Sequence, residues 1–363
     1  MSDRLCTTLL PLIAAFIWGI AFVAQKGNTV GALTFNAARS LVAFLFVLVV
    51  LAVMSRGKSQ AKGPAPVASA ASLREKASGK GSASAARAKG PAQAALAASP
   101  QEKASGKGLA LAVRAKGSAP LAGLLTGSTP QETRAIWLGG ACCGLALACA
   151  TFLQQTGLDA DTEAGKAGFL TAMYIVLVPV LGLALKKKAP ANVWMAVVVA
   201  VVGLYLLCVK EGLAIRPSDL VVLACSLLFA VQILCIDHFS PHCNGVKLSC
   251  VQFLVCFIVS AVPALIFEEF SLPALGQSVL PILYLGVFSS GVAYTLQIIA
   301  QKNANPTVVS LLLSMESVFS VLAGAVLLGE VLSGREYLGC VLMAAAVVLA
   351  QLPARSAITP QQQ

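Results

Sequence analysis

The sequence predicts an all-α polytopic membrane protein with ten transmembrane helices. Of its 363 residues, 58% are hydrophobic and 11% are charged, whereas a soluble domain carries about 25% charged residues. Several apolar runs reach the roughly 20 residues that a helix needs to cross a bilayer. Because these runs are continuous rather than alternating in polarity, they favour helices and exclude an outer-membrane barrel.

Ten spans, numbered 1 to 10 in chain order, are predicted at residues 8–25, 33–54, 135–155, 164–185, 191–209, 218–237, 247–267, 279–300, 306–328 and 335–352. Span 1 has no convincing small-residue cleavage site after it, so we expect a retained helix rather than a signal peptide. Most of the 11 cysteines lie inside spans. There they are predicted to be small apolar residues and not a disulfide scaffold.

Residues 55–134, between spans 2 and 3, form a low-complexity segment rich in Ala, Gly, Ser, Lys and Pro. The peptide EKASGKG occurs at 75–81 and again at 102–108, which is a tandem repeat at an offset of 27 residues. With no aromatic residue and little apolar surface to bury, the segment is expected to be a disordered cytoplasmic insert. Its basic residues leave two interpretations open, a linker without function and a contact with membrane lipid.

The orientation of the chain is predicted from the Lys and Arg residues of the short loops. With the N-terminus in the cytoplasm and the insert left out, seven basic residues fall on the cytoplasmic side and five on the other. The predicted arrangement therefore has both termini in the cytoplasm. The net charge of +11 depends on the insert, which holds thirteen basic residues, and does not indicate a nucleic-acid partner.

The two halves of the chain show a faint internal duplication. The peptide TFLQ at 151–154 matches YTLQ at 294–297 at an offset of 143 residues, and the matches follow one another span by span. A repeat of five spans crosses the membrane an odd number of times, so the second copy must be inverted relative to the first. Inverted repeats place a substrate site near the membrane midplane, which suggests alternating access. The first repeat is assigned to 1–54 and 135–210, the second to 211–352, and a tail to 353–363.

At this point the chain resembles the EamA-type transporters of the drug/metabolite transporter superfamily. The segments that carry the resemblance are AAFIWGIAFVAQK (14–26), TFNAARSLVAF (34–44), TFLQQTGL with EAGKAGFLTAMYIVLVPVLGL (151–183), GVFSSGVAYTLQIIAQKNANPT (286–307) and SLLLSMESVFSVLAGAVLLGEVLSGREYLGCVLM (310–343). The resemblance covers essentially the whole chain except the insert. It implies ten helices in two inverted five-helix repeats and, usually, export of a solute.

Two charged residues lie inside predicted spans, where an ionisable side chain is expensive. Glu316 is near the middle of span 9, and it is either a substrate ligand or proton carrier, or a structural carboxylate held by Ser hydroxyls or a cation. Arg39 lies inside span 2, and it either extends towards the interface or binds a substrate carboxylate. If both faced one cavity, they would suit the two charges of an amino acid.

Neutral polar residues add to this candidate site. Gln154 and Gln297 occupy matching positions in spans 3 and 8, with Tyr294 one turn before Gln297. Both a cavity lining and simple interhelical hydrogen bonding remain open for the two amides. Thr171 and Tyr174 share one face of span 4.

Further residues of the spans invite functional interpretations. We expect Pro179 to loosen the helix of span 4. Two roles are open for Lys166 at the start of this span, namely gating and anchoring at the membrane interface. Trp18 in span 1 either lines the cavity or is an aromatic residue that packs between helices.

Other chemistries have weaker signals. The loop CIDHFSPHC (235–243) brings two His and two Cys together, but Pro241 falls between the histidines and disfavours a helical metal site. Glu268 and Glu269 supply the acidic pair of an intramembrane metalloprotease motif, EExxxR, yet Pro273 stands at the Arg position. No GxxxxGK[ST] nucleotide-binding pattern occurs.

The sequence thus favours a secondary carrier in the cell membrane that exports a small metabolite such as an amino acid. No catalytic residue, metal or cofactor is predicted. A drug efflux carrier is the alternative within the class, and a membrane scaffold or an intramembrane protease are alternatives outside it. A homodimer is compatible with the sequence.

Overall fold

The computed structural model describes residues 3–25, 30–61, 121–160, 162, 164–187, 189–209, 216–269, 271–328 and 331–352. Every regular element in these ranges is helical. The chain divides into two compact units, Met1–Ala52 with Leu124–Gln363, and Val53–Gly123. Of the second unit, the described residues are the end of one long helix and the beginning of the short helix Leu121–Leu125.

The spans are bounded in order as Asp3–Gln25, Ala32–Ala61, Pro130–Asp159, Ala164–Thr171 with Tyr174–Ala184, Ala191–Cys208, Pro217–Phe239, Gly245–Phe267, Val279–Tyr284 with Leu285–Tyr294 and Thr295–Gln301, Pro306–Leu313 with Glu316–Leu328, and Gly334–Gln351. Nine of these spans are, within the described residues, long and apolar enough to cross a membrane. Span 1 has 23 residues and a shorter apolar stretch, Cys6–Ala21. The predicted all-α polytopic membrane fold is confirmed.

The insert between spans 2 and 3 differs from the prediction at both ends. Span 2 continues as a helix to Ala61, and span 3 begins at Pro130, so both helices extend into the segment 55–134. Thr129 caps the start of span 3 by accepting a hydrogen bond from Glu132 N. The tandem repeat at 75–81 and 102–108, and the expectation of disorder there, lie outside the described residues.

The distribution of buried and exposed side chains in this fold fits a lipid environment. Large apolar side chains are exposed on the outside of the helices, among them Val326 (82%), Leu265 (79%) and Leu280 (77%). Polar side chains such as Gln252 and Ser310 are buried with no exposure. A water-soluble domain tends to bury the first kind of residue and expose the second, so this pattern fits helices surrounded by hydrocarbon.

Contacts between span ends follow the alternation of a chain that crosses back and forth. Glu268, just after span 7, accepts hydrogen bonds from Leu33 N and Thr34 N at the start of span 2, both at 2.8 Å. Lys247, at the start of span 7, donates to the carbonyl of Thr126 ahead of span 3. In an up-and-down arrangement, the end of span 7 and the start of span 2 lie on one side, and the start of spans 7 and 3 on the other.

The packing of the first five spans is repeated by the second five. Span 3 packs against spans 6 and 7, and span 8 packs against spans 1 and 2. Span 4 contacts span 6, span 9 contacts span 1, and spans 5 and 10 pack on each other. Exchanging each span with the one five places along maps this set of contacts onto itself. Such an exchange is what a pseudo-two-fold relation between the repeats requires.

Glycines allow spans 5 and 10 to approach closely. A Cβ atom on Gly203 would lie 3.0 Å from the carbonyl oxygen of Gly339, and a Cβ atom on Gly339 would lie 2.7 Å from that of Gly203. Small residues at a helix interface let the backbones come together, which is a main source of helix association in membranes.

Spans 4 and 9 are broken at corresponding places. Span 4 stops at Thr171 and resumes at Tyr174, and span 9 stops at Leu313 and resumes at Glu316. At both breaks the backbone N–H groups bond the carbonyl three residues back instead of four, as in the bond from Ile175 N to Ala172 O at 3.0 Å. The expectation that Pro179 loosens span 4 is therefore misplaced, because the helix runs through Pro179 and breaks before it.

Candidate functional site

A cavity of about 60 Å³ lies among the spans of both repeats. This is space for a few water molecules, at about 10–15 Å³ each. The residues that line it are Trp18, Ala21, Arg39, Gln154, Thr171, Tyr174, Phe229, Gln232, Ile233, Ser289, Tyr294, Gln297, Leu313 and Glu316.

All eight residues that the sequence singled out for a site lie in this lining. They are Trp18, Arg39, Gln154, Thr171, Tyr174, Tyr294, Gln297 and Glu316. They come from spans 1, 2, 3, 4, 8 and 9. Polar side chains from helices far apart in sequence thus face one interior space.

Glu316 begins the second half of span 9 and is 7% exposed. Its Oε1 accepts a hydrogen bond from the Tyr174 hydroxyl at 3.4 Å. Two Ser hydroxyls of the same span bond elsewhere, since Ser310 donates to Thr307 O and Ser314 to Leu311 O. Among the described residues, no cation lies within 4.0 Å of the carboxylate.

Arg39 is 8% exposed, so it does not extend to the interface as one interpretation of the sequence had it. Its Nε donates to Asn36 Oδ1 at 3.1 Å. Asn36 is itself held by Thr151 Oγ1 at 3.0 Å and by Ser260 Oγ at 2.8 Å. The amide network of spans 2, 3 and 7 therefore fixes the guanidinium, which has no carboxylate within 4.0 Å in the described part of the chain.

Two aromatic side chains of the same lining pack on each other. Trp18 and Tyr294 have ring centroids 4.6 Å apart, and the ring of Tyr294 also packs edge-on against Phe253 at 5.9 Å. Trp18 Nε1 donates to the carbonyl of Ser289 at 2.9 Å. Ser289 belongs to a π-helical stretch, Leu285–Tyr294, and π-helical turns occur frequently at functional sites.

The matching glutamines of the two repeats both hydrogen-bond within the protein. Gln154 Nε2 donates to Thr171 Oγ1 at 3.2 Å. Gln297 Nε2 donates to Gln301 Oε1 at 3.0 Å and to Gln232 Oε1 at 3.5 Å. Both amides line the cavity and also link helices, so the two roles left open by the sequence occur together.

Comparison with known proteins identifies the family of this chain. The model of the EamA-like transporter family matches residues 216–352. An "Uncharacterized transporter" from Archaeoglobus fulgidus is 32% identical over 214 residues, which cover 58% of this chain and 68% of that protein. The chain belongs to the EamA-like transporter family. It is a multi-pass membrane transporter.

The fold of this EamA-like transporter also agrees with a solved structure. A crystal structure of a protein superposes with a TM-score of 0.65 at 17% identity, covering 96% of this chain and 97% of the other. At this identity the likeness shows the fold alone. It extends over both repeats of the transporter, whereas the family match covers the second repeat.

Outside its cavity, the transporter has two ion pairs that join spans 4 and 6. Lys166 Nζ lies 2.5 Å from Asp219 Oδ2 near the start of both spans, and Asp219 is 2% exposed. Lys187 pairs with Asp237 near their other ends. Lys166 is therefore tied to span 6.

The two histidines of the loop CIDHFSPHC lie at the end of span 6 and just after it. Span 6 ends at Phe239 and a 3₁₀ turn, Ser240–His242, follows it. The rings of His238 and His242 are 6.4 Å apart and border a surface pocket of about 440 Å³. No group of three or more His, Cys, Asp or Glu residues is arranged to hold a metal ion in the part of the chain that the structure describes.

Glu268 has a structural role that differs from the protease interpretation. Both oxygens of its carboxylate accept backbone hydrogen bonds at the start of span 2, where the positive end of the helix dipole favours an anion. The two histidines border the surface pocket beside Glu132, which lies at the start of span 3. This pocket is at the opposite ends of the helices from Glu268. The acidic pair and the histidines thus do not meet.

Sequence reasoning missed six lining residues: Ala21, Phe229, Gln232, Ile233, Ser289 and Leu313. Gln232 could have been found, because it is an amide in the apolar run LFAVQILCI and polar groups inside spans tend to face the interior. The backbone carbonyl of Ser289, in the π-helical stretch, accepts a hydrogen bond from the lining residue Trp18. Nothing in its residue type signals that.

Proposed function

We propose that this transporter is a secondary carrier that moves a small amino-acid-like solute by alternating access at the cavity between its repeats. One observation carries the proposal: Arg39 and Glu316 line the same cavity, and neither has an oppositely charged partner among the described residues. Unpaired charges within a membrane are costly and therefore commonly mark a substrate or ion pathway.

The chemistry of the two residues suits a zwitterion. Asn36 accepts the hydrogen bond from Nε of Arg39. The two terminal nitrogens of the guanidinium have no protein partner among the described residues. A planar guanidinium binds a carboxylate through two parallel hydrogen bonds. Glu316 offers a carboxylate to an ammonium group, and Tyr174 already orients it. A solute with both groups would neutralise both charges.

The broken spans support a mechanism in which the cavity opens to each side in turn. Spans 4 and 9 are equivalent in the two repeats, and each breaks next to the cavity, at Thr171–Tyr174 and Leu313–Glu316 respectively. Discontinuous helices at the midplane are typical of carriers built from inverted repeats. Movement of one repeat against the other would then change access around a fixed site.

Export from the cytoplasm, a location in the cell membrane and cytoplasmic termini belong to this proposal. Export follows from the usual behaviour of the family that the sequence resembles. Coupling is by exchange or by a proton gradient, and Glu316 is the carboxylic acid in the cavity lining that would carry the proton. Two charges and three amides in the lining favour a small polar solute over a bulky apolar drug.

Counterflow in proteoliposomes tests this function. The purified protein is reconstituted with an unlabelled solute inside, and uptake of labelled amino acids and nucleobases is measured. We expect at least one amino acid to exchange, and Glu316→Gln and Arg39→Gln to reduce the exchange strongly while leaving a measurable rate. Glu336→Gln is the matched control, because Glu336 is equally buried (7% exposed) but caps span 10 away from the cavity. Exchange of nucleobases alone, or full activity of Glu316→Gln, would refute the proposal.

A further inference from the structure

Four glutamines form a buried hydrogen-bonded chain beside the cavity. Gln232 lies in span 6, Gln252 in span 7, and Gln297 and Gln301 in span 8. Each is at most 1% exposed. Gln232 and Gln297 line the cavity, whereas Gln252 and Gln301 lie behind them.

The orientation of this chain is fixed at one end by a backbone carbonyl. Gln301 Nε2 donates to Ile233 O at 3.0 Å. A carbonyl can only accept, so the amide of Gln301 must turn its nitrogen to Ile233 and its oxygen to Gln297. Gln297 must then present its nitrogen to Gln301 Oε1, at 3.0 Å.

The remaining bonds follow the same direction. The second N–H of Gln297 points to Gln232 Oε1 at 3.5 Å, and Gln232 Nε2 donates to Gln252 Oε1 at 3.3 Å. Both hydrogens of Gln297 are thus engaged, while its Oε1 is buried without a hydrogen-bond partner among the described residues. Buried polar atoms are nearly always partnered. Gln252 Nε2, at the far end of the chain, also has no partner among the described residues, but Gln252 is not part of the lining. Gln297 is a lining residue, so its Oε1 is the unpartnered atom of this chain that is nearest to a solute in the cavity.

The equivalent glutamine in the other repeat is not fixed in this way. Gln154 bonds the hydroxyl of Thr171, and a hydroxyl can both donate and accept. Its amide can therefore turn over without losing the bond. In this matched pair, only the amide of Gln297 has an orientation that the protein fixes, so only its oxygen has a defined position.

We propose that Gln297 Oε1 accepts a hydrogen bond from a side-chain hydroxyl or amide N–H of the transported solute, and that Gln301 is the positioning residue that makes it an acceptor. This inference rests on the proposed function, in which Arg39 and Glu316 bind the α-carboxylate and the ammonium group. It adds a specificity: among amino acids of equal size, the cavity selects those whose side chain can donate.

Pairs of nearly isosteric amino acids test this specificity. L-threonine and L-valine differ by a hydroxyl against a methyl group, and L-asparagine and L-leucine by an amide against an isopropyl group. Binding to the purified full-length protein is measured by thermal shift as a function of solute concentration. We expect the donor-bearing member of at least one pair to bind roughly tenfold or more tightly, because a site built to hydrogen-bond a group rejects the analogue without it.

Two variants at Gln301 separate positioning from a merely structural role. Gln301→Met removes the acceptor that holds Gln297 Nε2, so the preference should fall to less than about threefold. Gln301→Glu is the matched control, since a protonated carboxyl group can donate to Ile233 O and still accept from Gln297. It should keep the wild-type preference. Equal binding within both pairs by the wild type, or an unchanged preference in Gln301→Met, would overturn the inference.

The outcomes also separate this inference from the proposed function. Selective binding without counterflow removes the transport proposal and leaves the role of Gln297 intact. Counterflow of both members of each pair at equal affinity removes the role of Gln297 and leaves transport intact. Binding of none of the four amino acids counts against both. The wild-type comparison needs no variant, so a variant that fails to fold does not protect the inference.

Discussion

Tyr174 donates a hydrogen bond to Glu316 across the cavity, and each of these residues begins the second half of a broken span. Span 4 belongs to the first repeat and span 9 to the second, so the bond joins the repeats at equivalent points. A hydroxyl from one repeat thus meets a carboxylate from the other. Movement of the repeats relative to each other would stretch or break this contact.

Tyr174→Phe tests the contribution of this bond to transport. The change removes the hydroxyl and keeps the ring. We expect counterflow to fall about two- to tenfold, which corresponds to a hydrogen bond of about 0.5–1.5 kcal/mol. Glu316→Gln should have a larger effect and should also remove any pH dependence that Glu316 confers, because an amide does not titrate. Counterflow rates between pH 5 and pH 9 measure both effects.

The control for this pair is an aromatic hydroxyl outside the cavity lining. Tyr284 donates to Ile17 O at 3.2 Å and is part-buried, so Tyr284→Phe removes a hydrogen bond of the same type. We expect it to lower thermal stability slightly and to leave the pH profile unchanged. A wild-type pH profile in Glu316→Gln would show that another group carries the proton.

Asn36 should act on solute affinity through Arg39. Asn36 is 2% exposed and bonds Arg39, Thr151 and Ser260. Asn36→Ala releases the guanidinium from its fixed position, so we expect the half-saturating solute concentration to rise roughly tenfold with a smaller change in maximal rate. Concentration series in counterflow measure the two parameters.

A second side-chain amide that bonds between two helices provides the comparison for Asn36. Asn192 bonds the carbonyls of Leu349 and Leu352 at the junction of spans 5 and 10. Asn192→Ala should lower stability while the half-saturating concentration stays at the wild-type value. If both variants changed affinity alike, the effect would be a general loosening of the fold rather than the positioning of Arg39.

Much of this architecture could be predicted from the sequence, because lipid imposes a simple rule. Apolar runs of sufficient length become spans, and polar residues within them turn inward. Glu316 and Arg39 were identifiable on these grounds alone, and so were the glutamines of spans 3 and 8. All of them line one cavity.

The breaks and the hydrogen-bond directions could not be predicted in the same way. The break at 172–173 contains Ala and Met, which are good helix formers, and Pro179 misdirected the expectation. The break arises where spans pack around the cavity, which is a property of tertiary contacts. Likewise, Gln301 determines how Gln297 is oriented only because span 6 brings the carbonyl of Ile233 within 3.0 Å.

The junction of spans 5 and 10 gives a prediction about stability. Gly203→Ala places a Cβ atom 2.9 Å from Leu342 Cβ and 3.0 Å from Gly339 O. We expect a loss of about 1–3 kcal/mol from overpacking, measured as a lower melting temperature in detergent. Gly168→Ala is the control, because a Cβ atom there meets nothing within 4 Å. An equal melting temperature for both variants would mean that the close packing does not hold these spans together.

The predicted orientation can be tested with introduced cysteines in a cysteine-free background. Ser128, between spans 2 and 3, and Gln277, between spans 7 and 8, are both exposed. If the termini are cytoplasmic, an impermeant maleimide added to intact cells should label Gln277→Cys and not Ser128→Cys. Permeabilised cells should show labelling of both. The reverse pattern in intact cells would invert the orientation and, with it, the proposed direction of export.

The ion pair between Lys166 and Asp219 should stabilise one end of spans 4 and 6 more than an ordinary surface pair would. Asp219 is 2% exposed and also accepts hydrogen bonds from Arg216 N at 2.7 Å and Thr162 Oγ1 at 3.4 Å. Asp219→Asn keeps an acceptor for these groups but removes the charge. We expect a loss of roughly 3 kcal/mol, the low end for a broken buried pair, read as a lower melting temperature.

The other ion pair of the same two spans is the comparison that makes this prediction sharp. Lys187 is 42% exposed and Asp237 is 12% exposed, so water screens this pair and Lys187→Met should cost less than about 1 kcal/mol. The double variant Lys166→Met/Asp219→Asn should recover part of the loss of Asp219→Asn, because both charges of the pair are then removed while an acceptor stays at position 219. Equal losses at the two ends would show that burial does not distinguish the pairs. In that case the Lys166–Asp219 contact would be no stronger a link between spans 4 and 6 than a solvated one.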